Sequence, residues 1–388
     1  MASKSSEIVA NNDDLLKEIL VKLPLKSLMR FTSVSKHWLS FISGPYFNSR
    51  RNPFPGSVSG LFLPSGGNSL EYDFMDLNQS SDPTNPPFRS LNFTNDPLEW
   101  GIKIVHSCNG LLLCSGTGIY LYNPTTKKYT VLPLPSRSRF ACGLSLAFDP
   151  SRSPHYKVVC VSDFDPIDED DEDNRQIEMY SSETGTWRLS GDSFYAPITS
   201  QFRDGVFWNG SVHWINLWGT PLYFNVEEER LSHMPLPPVP VDWDGKKKIR
   251  YFGESHGHLH LINRVYDPTT LEFDVYEMET DYSGWFVKFR VDWSQIRTAF
   301  PEIKFICEHA ALDHLQRLYD LFAIVYIDPG DVNEESYAII KVPGKLIRYN
   351  FKSKAIDNLC DLETEDYDDE WFPWEFKCHQ YIESLALV

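Results

Sequence analysis

Glu254, His256, His258 and His260 bring metal-ligating side-chain types to alternate positions. On a strand, alternate side chains share a face, so the three imidazoles would line up beside a carboxylate. Such a set suits zinc or a related ion. A zinc site also needs closed tetrahedral geometry and outer hydrogen-bond partners, which alternation alone does not supply. The histidines therefore read as outward strand positions, and no metal is expected. His309 and His314 follow Cys307 and Glu308, but not at the His-Glu-x-x-His spacing, and they read as a strand end or turn. Carboxylates crowd into two blocks, Asp163 to Asp173 and Glu363 to Glu370. The first lacks the glycine that a calcium loop places at its sixth position. Like charges at this density repel and stay solvated, so both blocks read as loops, with a basic partner surface as the functional alternative. No Gly-x-Ser-x-Gly elbow, phosphate loop or dinucleotide fingerprint occurs. The chain is expected to be non-catalytic and to hold no cofactor.

Charge narrows the partners. Against 36 Lys and Arg stand 54 Asp and Glu, a net charge of −18, which opposes binding a phosphate backbone. The basic cluster Lys246, Lys247, Lys248 and Arg250 reads as a solvated loop. Seven cysteines are scattered without a Cys-x-x-Cys pair, which fits reduced thiols in cytoplasm or nucleus. Residues 1–10 are polar and do not resemble a signal peptide. The run from Leu321 to Ile327 is far too short to span a bilayer, so no membrane role is expected.

The elements explain how any site would be held. From Ser57 onward, short alternating strands are separated by Gly, Pro, Asn, Asp and Ser, a pattern of sandwiches and propellers. Three hairpin turns recur, at Asn109-Gly110, Asn209-Gly210 and His256-Gly257; Asn-Gly tolerates the positive φ that tight hairpins demand. A second unit also recurs. An aromatic residue closes one strand and an apolar residue opens the next, seven positions on: Tyr122 and Tyr129, Tyr180 and Trp187, Phe224 and Leu231, Tyr349 and Ile356. Tyr266 with Phe273, or Tyr276 with Trp285, would be the fifth pair. Two units run into Leu132-Pro133-Leu134-Pro135 and Met234-Pro235-Leu236-Pro237, read as strand exits. Repeats of this size give about six blades of four strands over residues 57–388. A large β-sandwich is the alternative. The last segment, Tyr381 to Val388, reads as a strand that closes a sheet with segments far earlier in the chain, since open edges invite aggregation.

Residues 11–47 follow a different period. Asn11 or Asn12 can cap a first helix whose apolar stripe is Leu15, Leu16, Ile19, Leu20 and Leu23. Pro24 stops it and suits the first turn of the next helix. Leu25, Leu28 and Met29 give a second short face. Val34, Trp38 and Phe41 or Ile42 give a third. So small a unit cannot bury its own apolar residues. The surplus packs either on the rest of this chain or on another protein, and Arg50-Arg51-Asn52-Pro53-Phe54-Pro55-Gly56 reads as a linker that favours the second.

These residues resemble an F-box, the helical module that binds the Skp-type adaptor of SCF (Skp–cullin–F-box) ubiquitin ligases. The match lies in the leucines, the Leu23-Pro24 step, the Lys26-Ser27-Leu28 turn and the Lys36-His37-Trp38 end, in register with plant F-box proteins. Two positions depart. The usual Leu-Pro before the first helix is replaced by Ala10-Asn11-Asn12, and a common cysteine before the Lys-x-Trp is Ser35. The β region is similar, more loosely, to the kelch-like F-box-associated (FBA) region of the same proteins, without the Gly-Gly pair of true kelch repeats.

The expected architecture is thus mainly β: a kelch-like propeller of about six blades after a small three-helix F-box module. Its parts would be a disordered 1–10, the F-box at 11–50, a linker at 51–56 and the propeller at 57–388. The resemblance implies a non-catalytic substrate receptor that binds the Skp-type adaptor, and through it cullin, and captures an unknown target protein. Adaptor contacts would fall on Leu15, Leu16, Ile19, Leu23, Pro24, Leu28, Val34 and Trp38. Alternatives are a propeller enzyme or small-ligand-binding protein with an incidental helical cap, and an F-box protein acting outside a ligase.

Overall fold

A computed structural model describes residues 12–388 except 24, 45–46, 48–49, 51–57, 66–70, 78–87, 89–90, 92, 94–100, 137–140, 164–173, 198–199, 201, 216–219, 237–248, 264–271, 301–322, 331–334, 343 and 363–376. The expectations for 1–10, the linker, Pro24, Lys246 to Lys248, His309, His314 and both acidic blocks except Asp163 fall outside the described residues.

Three short helices open the fold: α1 (Asp13–Val21), α2 (Leu25–Phe31) and α3 (Lys36–Ile42). Asn12 caps α1, its Oδ1 accepting from the backbone N–H groups of Asp14 and Leu15 at 3.1 Å. Ser35 caps α3, its Oγ accepting from the Trp38 N–H at 3.2 Å. Each cap satisfies donors that a helix start leaves without a partner.

Among the described residues the rest folds into five four-stranded meanders and one three-stranded sheet, the six blades of a β-propeller, with one helix, Trp293–Ala299, after the last strand of blade 5. Blade 2 shows the pattern, with strands Lys103–Cys108, Leu111–Ser115, Ile119–Asn123 and Lys128–Leu132. The first strands of neighbouring blades pack against one another around the axis. The repeat units foreseen in the sequence are the hairpins of these blades. Asn109 and Gly110 have φ of 44° and 87°, Asn209 and Gly210 48° and 72°, His256 and Gly257 51° and 79°. The four aromatic units are direct cross-strand pairs, Tyr122 with Tyr129, Tyr180 with Trp187, Phe224 with Leu231 and Tyr349 with Ile356. In each, the fifth residue after the first aromatic has positive φ: Lys127, Gly185, Glu229 and Lys354. Blade 5 departs from the expectation. Trp285 pairs with Met278, and Tyr276 faces Val287, because the positive-φ residue there is Tyr282 and the turn is re-set by a residue. Tyr266 lies outside the described residues.

Tryptophans staple blades together. Trp187 Nε1 donates to the Pro133 carbonyl at 2.6 Å, and Trp285 Nε1 to the Pro235 carbonyl at 2.9 Å. Each proline belongs to one of the strand exits and lies on the preceding blade, so each indole N–H finds its partner across the blade boundary.

The ring closes with the two ends of the β region. His379–Tyr381 is hydrogen-bonded to Gly60–Phe62, which pairs in turn with Phe74–Asp76. The closing strand is shorter and earlier than the expected Tyr381–Val388. After Tyr381 the chain leaves the sheet, since the Ser384 and Ala386 carbonyls accept from the Asn123 side chain instead of from a neighbouring strand. Cys378 Sγ donates to the Val325 carbonyl at 3.4 Å on one side, and the Gln380 N–H to Ser107 Oγ at 3.1 Å on the other, joining blades 6 and 2 through the closing strand. A chain ending at Cys378 is therefore expected to lose cooperative thermal unfolding and to elute as aggregate, whereas a chain ending at Ile382 keeps a single sharp transition, as calorimetry with size-exclusion chromatography will show.

Candidate functional site

Two surfaces concentrate the side chains singled out by the sequence: the blade 5 histidines and the helical module.

His256 does not join the other histidines. It occupies the positive-φ turn instead of the strand, and its Nδ1 lies 3.6 Å from Asp328 Oδ1 on blade 6. His258 and His260, on the strand His258–Asn263, both turn to one carboxylate: His258 Nδ1 is 2.8 Å from Glu277 Oε1, and His260 Nε2 is 3.4 Å from Glu277 Oε2. Lys288 Nζ approaches the same oxygen at 3.3 Å. Burial by itself would raise the Glu277 pKa, but the His258 hydrogen bond and the close approach of His260 outweigh it and hold the carboxyl well below the usual range. Glu254 points its carboxylate to the Gly257 N–H, and desolvation pushes it up to about 7. The cluster joins two imidazoles, an ammonium and a carboxylate across adjacent strands, and among the described residues no group of three or more His, Cys, Asp or Glu side chains has the arrangement to hold a metal ion.

Other histidines serve the core. His106 Nδ1 accepts from the Leu146 N–H at 2.8 Å, tying blade 2 to blade 3. His213 contacts the Tyr282 hydroxyl at 2.9 Å and stacks in a column with Tyr223 and Tyr282. Desolvation lowers His106 to about 3 and His213 to about 4. Both are neutral in the fold and take up protons when the chain unfolds below about pH 6.5. The unfolded state then binds more protons, so stability falls as pH falls.

The helical module divides its apolar residues. Leu16, Leu20, Leu28, Ile42 and Phe47 form a sealed core that also takes in Leu385 from the end of the chain. Leu23, Met29, Phe31, Trp38 and Phe41 flank it, half-buried. The Trp38 ring meets Phe31 edge-on with centroids 5.3 Å apart. Leu15, Ile19 and Val34 remain 46%, 45% and 57% exposed. Of the eight residues read from the sequence as one contact set, Pro24 lies outside the described residues and the other seven divide. Leu16 and Leu28 are interior, Leu15, Ile19 and Val34 face outward, and Leu23 and Trp38 stand at the margin. Period alone could not separate Leu15 from Leu16, because both lie on the stripe of a nine-residue helix; Leu385, which helps seal the inner side, is 357 residues beyond Leu28. Polar pairs rim the outer side: His37 Nε2 with Asp13 at 3.0 Å and Arg50 with Glu18 at 2.8 Å.

Comparisons agree with this division into module and propeller. A family model described as an F-box domain matches residues 12–50, and one described as an F-box associated beta propeller domain matches residues 68–385. The chain is similar to the F-box protein At5g07610 of Arabidopsis thaliana, 36% identical over 100% of this chain and 94% of that protein. It is similar also to the F-box/kelch-repeat protein At4g19930 of the same plant, 28% identical over 62% of this chain and 61% of the other. Among solved structures, an oligogalacturonate lyase from Vibrio parahaemolyticus aligns at 11% identity with a TM-score of 0.40, over 80% of this chain and 78% of that one.

The neutral core histidines carry a test. Between pH 7 and pH 5 each of His106 and His213 is expected to cost about 2 kcal/mol of stability. Denaturant melts across that range will show the loss, and a His213→Gln variant will show a shallower slope.

Proposed function

From the premise that this chain belongs to the F-box proteins with an F-box associated β-propeller domain, we propose that it is the substrate-recognition subunit of an SCF-type ubiquitin ligase. The F-box binds a Skp-type adaptor and, through it, cullin; the propeller holds a target protein; ubiquitin chemistry takes place on other subunits, in cytoplasm or nucleus. The contribution of this chain is proximity, which replaces a bimolecular encounter by an effectively intramolecular one.

One observation carries the adaptor reading. The chain covers the inner side of its helical module and leaves Leu15, Ile19 and Val34 on the outer side in water. Exposed apolar residues on a small helical module, rimmed by polar pairs, are the usual anatomy of a protein-binding surface. Leu23 and Trp38 stand half-buried at the margin of the module core. The absence of Leu-Pro before α1 does not leave the helix start open, since Asn12 supplies the cap.

Target capture is assigned to the opposite end of the propeller. In a meander blade, the turns after the first and third strands share one end, and the connections between blades share the other. Ser384 lies against the Gly110 turn, and its neighbour Leu385 enters the module core, so the module occupies the turn end. The end where each blade is entered and left is the one turned away from the adaptor.

The two groups of leucines make the reading testable. Leu15→Ala and Ile19→Ala should each weaken adaptor binding by about 1 kcal/mol, near fivefold, with an unchanged melting temperature, because each side chain is already half in water. Leu16→Ala should instead cost about 2–5 kcal/mol of module stability by opening a cavity. Calorimetric titration with purified adaptor will measure the first pair. Full affinity in a Leu15→Ala/Ile19→Ala/Val34→Ala triple variant refutes the proposed face.

A further inference from the structure

The helical module is joined to the propeller by sequence only through residues 51–57, yet it shares a core residue with the other end of the chain. Leu385 is buried among Leu16, Leu20, Leu28, Ile42 and Phe47. Its neighbour Ala386 is buried in a separate cluster, among Leu111, Leu113, Ile119 and Leu121 of blade 2. One step of chain thus reaches into two cores. Ile382, just upstream, is buried in a third, with Leu61 and Val325 of blades 1 and 6.

The tail is held as a fixed element. Asn123 is fully buried and uses both ends of its amide. Its Oδ1 accepts from the Thr125 and Thr126 N–H groups at 2.9 and 3.1 Å and shapes the blade 2 turn. Its Nδ2 donates to the Ser384 carbonyl at 3.1 Å and the Ala386 carbonyl at 2.9 Å. The Ser384 N–H donates to Thr125 Oγ1 at 3.1 Å, and the Ala386 N–H to Ser384 Oγ at 3.2 Å. Gly110 completes the seat: a Cβ there would lie 2.3 Å from Ser384 Cβ. Asn225 and Asn350 occupy the same repeat position and cap their own turns in the same way. The Asn350 amide nitrogen goes to Glu335, whereas that of Asn123 makes a double donation to a passing segment.

We propose that residues 382–388 are a strap that fixes the orientation of the adaptor-binding module on the propeller, with Leu385 as its anchor and Asn123 as its clamp. Both are positioning residues, acting through the module core and the blade 2 turn they hold. The functional consequence rests on the reading above: with the strap seated, the captured target is presented at one angle and distance from the adaptor, and with the strap released the same two binding surfaces remain, joined by a tether. Strand His379–Tyr381 lies before the strap, so ring closure and module orientation are separable along the chain.

The experiment uses the full chain and two variants, Leu385→Asp and Asn123→Asp. The first places a charge in the module core. The second keeps an acceptor for the turn and sets carboxylate oxygen against the two carbonyls that Nδ2 served. Leu387→Ala, at a position 47% exposed, is the control. Amide hydrogen exchange is followed in α1, α2 and the strands of blades 2 to 6, without adaptor, so the outcome does not depend on the ligase reading. The expected result is exchange at least ~10-fold faster in α1 and α2 with blade strands unchanged, and a larger maximum dimension by solution scattering. Equal helix protection in variants and parent overturns the proposal. So does faster exchange in the blades as well, which would make the tail a part of the propeller core instead. A second arm adds adaptor: a variant that binds it within about twofold, yet transfers ubiquitin to a propeller-bound target more slowly, supports the positioning role. Unchanged transfer in a variant whose helices have loosened overturns that role alone.

Discussion

Ring closure is the constraint from which the architecture follows. Five blades are continuous meanders, and the sixth has to be assembled from the first and last strands of the β region. An open ring would expose two strand edges and the apolar flank of each terminal blade. Pairing Gly60–Phe62 with His379–Tyr381 removes those edges at the cost of fixing both ends of the chain at one place. Everything attached to those ends is then brought together. The helical module precedes Gly60 and the tail follows Tyr381, so a contact between them, 357 residues apart at Leu28 and Leu385, costs little further loop entropy.

Within a blade the controlling interaction is local. An Asn or Ser after the third-strand aromatic accepts from backbone N–H groups two or three residues on, and the chain crosses through a positive φ into the fourth strand. This repeat was legible because it uses turn chemistry and short spacing. The aromatic pairs Tyr122 with Tyr129 and Phe224 with Leu231 could be read from residue types alone, and they prove to be direct neighbours. Blade 5 was misread where the turn is re-set at Tyr282, since nothing in the residue types shows which position takes positive φ. The histidine alternation failed for the same reason: His256 stands in a turn, and the alternation rule applies only inside a strand.

The helical module shows the limit from another side. Its helices, the cap at Asn12 and its family resemblance were plain in the sequence, and two family models match where the resemblance fell. The division of its leucines was not. Which side of a short helix is covered depends on what the fold delivers to it, and here the deciding group is Leu385, supplied by ring closure. Ser35 illustrates the reverse case. Read as a departure from the family pattern, it caps α3 and so fixes the start of the helix that carries Trp38.

Orientation is where these levels meet. A receptor that works by proximity gains little from affinity at either end if the ends are loosely joined, because a freely swinging tether dilutes the effective concentration of one site near the other. A covalent linker by itself sets only a maximum separation. A second contact, distant in sequence and buried on both sides, sets an angle as well. The geometry at Asn123 provides it cheaply, since the amide that shapes the turn has a spare N–H₂ group that would otherwise be buried without acceptors. The tail fills that need with two carbonyls that have no strand partner. Each satisfies the other, and under the proposed strap the joint between helical module and propeller is built on the blade 2 turn.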